Sequence, residues 1–188
     1  MKKHTTPDTR FAMTKIINLQ LYRNIALEKR IFGPWQKRFG EINGLKTRLS
    51  DLSDRVLYYL AQPGEPSSLA YYELIMGVLD FGTAPNFHYL NNENKMLVVD
   101  IHLFLADQVR FEMMWRLEWI KAFEGKKFGL IELVQNVQNI RIKCREKPPE
   151  LAESNPDYHA YIKLTRKDKE VFIRRMLQKA LETFKERL

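Results

Sequence analysis

Residues 96–123, MLVVDIHLFLADQVRFEMMWRLEWIKAF, contain no glycine and no proline. A run of that length is too long for a strand and fits a helix, expected over 94–124. Apolar residues occupy nearly every direction around its axis, which is the pattern of a helix enclosed by others. Such a segment obliges the rest of the chain to supply cover on several sides.

The covering segments are marked out by breaks at FGP (32–34), QPGEPSS (62–68), FGTAPNF (81–87), EGKKFG (124–129) and EKPPELAESNP (146–156). Each combines turn formers with a loss of periodicity. A helix is expected over 8–32, with Asp8 or Thr9 near its N-cap. A second is expected over 34–61, opening on Pro34, where Trp35, Phe39, Ile42, Leu45, Leu49, Leu52, Val56 and Tyr59 step by three or four. Residues 67–80 read as a short buried helix after a Pro-Ser-Ser cap. Residues 129–145 read as another, with Leu130, Val134, Val137, Ile140 and Cys144 aligned. The last is expected over 166–187, capped by Thr165 and Asp168 and burying Ile173, Leu177, Ala180, Leu181 and Phe184. The fold expected is therefore all-α: one domain over 1–188, an irregular bundle of about six helices around the long central one. The rival is an α+β fold, with MLVVDIHLFL, NIRIKC and YIKLT as short strands of a small sheet.

With 188 residues and 45% hydrophobic composition, the chain can bury a sizeable core and is not a disordered one. Cys144 is the only cysteine, which excludes an intrachain disulfide and a cysteine metal cluster. The opening MKKHTTPDTRF has no apolar run behind its lysines, and no window has the length and apolarity of a membrane span. A cytoplasmic protein is the expectation. The formal net charge of +8 is unevenly spread: residues 1–50 carry net +8, 51–140 net −5, and 141–188 net +5. Basic ends and an acidic middle imply either mutual attraction within one fold or a basic surface facing an acidic partner.

The long helix carries the residues that most resemble chemistry. Asp107 precedes Arg110 by three, Glu112 precedes Arg116 by four, and Glu118 precedes Lys121 by three, so each acid is expected to pair locally. Asp100 and His102 have no such neighbour. On a helix they point about 200° apart and cannot share a metal or a proton relay; on a strand they would face the same way. His88, in the long loop 81–94 with Phe87 and Tyr89, is the third residue of this candidate pocket. Neither Glu-x-x-His nor His-x-x-x-His occurs, GKKFG lacks the spacing of a phosphate loop, and DFG at 80–82 stands without its companion motifs. No catalytic residue, metal or cofactor is assigned. Cys144 reads as a buried structural thiol.

Basic rows are the more informative feature. Lys37, Arg48 and Arg55 fall within one arc of the expected 34–61 helix, and Lys167, Arg174 and Lys185 within one arc of the last. RIFGPWQKRFG (30–40) sets Phe32, Trp35 and Phe39 among Arg30, Lys37 and Arg38, an interleaving that can anchor a partner or stack on bases. The expected function is non-enzymatic binding or adaptor work through aromatic and basic helix faces, with a protein partner or a second copy of the chain. Nucleic-acid binding is the alternative, and a pocket near His88, Asp100 and His102 the third.

Overall fold

The computed structural model describes residues 9–40, 42 and 44–188, with side chains from residue 20 onward. Its helices are α1 (Thr9–Phe39), α2 (Asp54–Ala61), α3 (Glu65–Leu79), α4 (Asn92–Arg116), α5 (Leu130–Gln135), α6 (Val137–Glu146), α7 (Tyr158–Tyr161) and α8 (Arg166–Lys185). Short 3₁₀ turns occupy Gly44–Lys46, Leu49–Asp51, Ala84–Tyr89 and Glu124–Lys127. No strand occurs among the described residues. The three segments of the rival sheet lie in α4, in α6 and around the end of α7, and the β-pairing among the described residues is two isolated bridges, Arg48 with Gly129 and Ile120 with Leu151. The fold is an all-α bundle. Among the described residues no helix is long and apolar enough to cross a membrane.

Several expected boundaries move. Thr9 opens α1, while Asp8 lies outside the described residues. The expected helix over 34–61 does not form. α1 runs on through Pro34 to Phe39, and the chain then turns at Gly40 and Gly44, whose φ values of +88° and +75° favour glycine. The apolar residues of that segment still reach the core: Trp35, Ile42, Leu49, Leu52 and Val56 are all buried. Turns and 3₁₀ segments also bring every third or fourth residue inward, so the spacing survives without the helix. α3 begins earlier than expected, at Glu65, and the hydroxyls of Ser67 and Ser68 bond back to the Gly64 carbonyl. The 129–145 segment is split between α5 and α6 at Asn136. Thr165 caps α8 as expected, accepting from the Asp168 amide while its hydroxyl donates to the Asp168 carboxylate.

Two helices form the centre. α3 packs against α1, α2, α4 and α5; α4 packs against α2, α3 and α8. The α1–α3 contact depends on an absence at each side. Pro34 has no N–H, which frees the Arg30 carbonyl one turn earlier. Gly77 of α3 sits against that spot, and a Cβ there would lie 3.0 Å from the Arg30 oxygen and 3.1 Å from Ile31 Cα. One turn along α1, Trp35 Nε1 donates to the Ala70 carbonyl at 2.7 Å in the buried interface.

α4 ends at Arg116, earlier than expected, because Glu118 turns left-handed (φ +60°). Glu118 N–H bonds to the Trp115 carbonyl and Trp119 N–H to Met114, the paired closure of a Schellman motif. Glu118 therefore leaves the helix and does not pair with Lys121, whose partner is Glu153 at 2.8 Å. The other two expected pairs form: Asp107 with Arg110 at 3.8 Å and Glu112 with Arg116 at 3.0 Å. Glu112 is 0% exposed. Arg116 also binds Asp54 at 2.6 Å and donates to the carbonyls of Leu49 and Ser50.

Gly77→Ala gains helix propensity but forces α1 and α3 apart. A net loss of about 1–3 kcal/mol is expected in chemical denaturation. Arg116→Met strands the buried Glu112 and should cost about 3–5 kcal/mol, with much of that recovered in Glu112→Leu/Arg116→Met.

Candidate binding surfaces

The aromatic and basic cluster of residues 30–40 resolves into core and rim. Trp35 is 1% exposed and serves as core, not as a partner anchor. Phe32, Trp35, Phe39 and Tyr59 form a chain of edge-to-face aromatic contacts. Arg38 closes its end, bonding to Glu73 at 2.7 Å and to the Tyr59 hydroxyl. The bond to Glu73 holds the guanidinium above its ordinary value. Lys37 is exposed on α1, Arg48 sits beside a 3₁₀ turn, and Arg55 lies on α2. With the 34–61 helix broken, these three no longer share a helical face. Lys167, Arg174 and Lys185 do share an exposed face of α8, but Arg174 is drawn to Asp107 at 2.9 Å and Glu170 at 3.7 Å.

His88, Asp100 and His102 do not form one pocket. Asp100 pairs with Arg141 of α6 at 3.0 Å and borders one hollow; His102 borders another. His88 is exposed and lines neither. The His102 ring packs at 4.9 Å from Tyr71 and 5.5 Å from Tyr72, and Tyr72 stacks on Phe87. Burial, with Arg110 nearby, pushes the imidazole below 6.5. Among the described residues no group of three or more His, Cys, Asp or Glu side chains is placed to hold a metal.

The larger hollow, about 750 Å³, lies between α4, α6, α7 and α8. Asp100, Leu103, Phe104, Asp107, Gln108 and Phe111, on one face of α4, form its side on that helix. Gln108 is 3% exposed and its Oε1 has no hydrogen-bond partner. An unmatched buried amide costs about 1–3 kcal/mol, so its retention calls for a reason. Gly125 presses against it: a Cβ at that position would overlap Gln108 Oε1. Cys144 lines the same hollow. Burial and Glu124 push its thiol up, against a hydrogen bond from the Gly125 backbone. A thiol held towards its protonated form reacts slowly, and Cys144 is a lining group of the hollow.

A second surface is on α1. Residues 20–26 are all exposed, and among the described residues none of these seven packs against the core. Leu21, Tyr22 and Ile25 are 54%, 70% and 53% exposed. Nothing in the periodicity distinguished these apolar residues from those that become core further along the same helix. No protein-family model, curated protein or solved structure matches the chain.

His102 gives a pH signature. Its folded pKa lies below the 6.5 of an unperturbed imidazole, so the unfolded chain binds its proton first as pH falls. Stability due to the neutral ring is present above 6.5 and is lost progressively below it. Urea unfolding of His102→Gln should show a shallower loss of stability on acidification from pH 7 than the wild type.

Proposed function

We propose that this is a non-enzymatic binding protein whose α1 arm docks on a complementary acidic surface, with a second copy of the chain as partner. The carrying observation is the free two-turn stretch bearing Leu21, Tyr22 and Ile25. An isolated helix of this length is marginal in water, so a covering partner accounts for both its apolarity and its helicity.

Charge supports the choice of partner. Arg30 with Asp80, Arg38 with Glu73, Arg141 with Asp100 and Arg174 with Asp107 each join a basic end of the chain to its acidic middle. Residues 9–27 hold Arg10, Lys15 and Arg23 and no acid. Arg23 makes no ion pair among the described residues, and the same end-to-middle attraction can act between copies. The nucleic-acid reading has less support, because the row Lys37, Arg48 and Arg55 is divided among separate elements and Arg174 is neutralised.

Sedimentation velocity over a wide concentration range tests the reading. The expected result is a monomer–dimer equilibrium, weakened by salt and abolished by Leu21→Glu/Ile25→Glu, two exposed changes that leave the circular dichroism of the bundle intact. A strict monomer at every concentration overturns it.

A further inference from the structure

The hollow between α4, α6, α7 and α8 is distinct from the arm, and its chemistry can be read group by group. Its volume, about 750 Å³, suits a metabolite-sized molecule rather than a protein segment's full width. Phe104, Phe111, Tyr161 and Ile173 give it an apolar, largely aromatic lining. Gln108 adds a buried amide to the lining. The oxygen end of that amide is the one that lies against Gly125.

The charged rim can be sorted by what is already paired. Arg141 is taken by Asp100, and Arg174 by Asp107 and Glu170. Arg145, Arg166 and Lys169 make no ion pair among the described residues, and neither do Glu146 and Glu150; the lining balances five bases against five acids, and Arg110 from outside it shares Asp107, which leaves these unpaired groups with one positive charge in excess. Arg166 donates to the Arg145 carbonyl, which gathers two of the cations at one end. Lys169 lies over the Tyr161 ring, 5.2 Å from its centre.

We propose that this hollow is a binding site for a small amphipathic monoanion. The apolar body rests on Phe104, Phe111 and Ile173. A hydrogen-bonding group meets Gln108, and the acidic head lies among Arg145, Arg166 and Lys169.

The probe is 8-anilinonaphthalene-1-sulfonate, an aromatic monoanion, compared with uncharged N-phenyl-1-naphthylamine by fluorescence titration on the full chain. The sulfonate is expected to saturate a single site and to bind about tenfold tighter than the amine, the worth of one modest charge contact. Arg145→Glu/Lys169→Glu should erase that preference. Leu103→Trp, which fills the hollow from an exposed position, should abolish binding of both dyes while thermal unfolding stays cooperative. Cys144 supplies a second readout as the chain's only cysteine: saturating sulfonate should slow its alkylation by iodoacetamide. Equal affinity for the two dyes, binding retained by Leu103→Trp, or alkylation of Cys144 unchanged by bound sulfonate would each overturn the proposal. None of these results depends on whether the chain dimerises.

Discussion

The buried carboxylate of Glu112 fixes more of this molecule than any other group. A charge with no solvent exposure has to keep a cation beside it, and Arg116 is that cation. Its remaining N–H groups are then committed to Asp54 and to the carbonyls of Leu49 and Ser50, which holds the entry to α2 against the end of α4. Arg187 donates in turn to the Arg116 carbonyl and ties down the end of α8. Just beyond, the left-handed Glu118 sends the chain back so that Trp119 and Lys121 bond to residues 150–152. That crossing positions Pro148, Pro149 and Glu150 as one wall of the hollow. One ion pair thus lies upstream of three helix placements and of the cavity.

Much of the architecture is legible in the sequence, because burial and helical spacing are linked wherever a segment is long and free of glycine. α4 and α8 follow this rule, as do the Thr165–Asp168 cap and the Asp107–Arg110 and Glu112–Arg116 pairs. Residues 34–61 depart from it for a physical reason. The inward spacing of Trp35, Ile42, Leu49 and Val56 is demanded by the core, and the core accepts any backbone that delivers it. Gly40 and Gly44 were the residues able to report the break, through the left-handed backbone that they adopt. Pro34 misleads in the opposite sense. A proline is expected to open a helix, but the carbonyl that it frees here faces a glycine on α3, and the helix continues.

The candidate surfaces were less legible. Interleaved aromatics and cations at 30–40 are equally the pattern of a helix with an aromatic core face and a charged rim, and that is what the chain builds. Asp100 and His102 separate as helical geometry requires, each finding a partner that is remote in sequence: Arg141 for one, the Tyr71 and Tyr72 rings for the other. Gln108 carried no signal at all. A glutamine within an apolar run is ordinary, and its significance comes only from lying buried, unpartnered and against Gly125.

α1 joins two regimes along a single rod. Ile31, Phe32 and Trp35 belong to the core, while residues 20–26 are all exposed. Amide protons are protected by the free energy of whatever opening exposes them, so protection along this one helix should rise from that of a fraying peptide to that of the whole bundle. The change falls around Leu27, the first residue after that stretch to pack against the core, within about one turn. A partner that covers the arm would extend the protected zone outward without altering a bond inside the bundle, so α1 records its own occupancy as a gradient of hydrogen exchange.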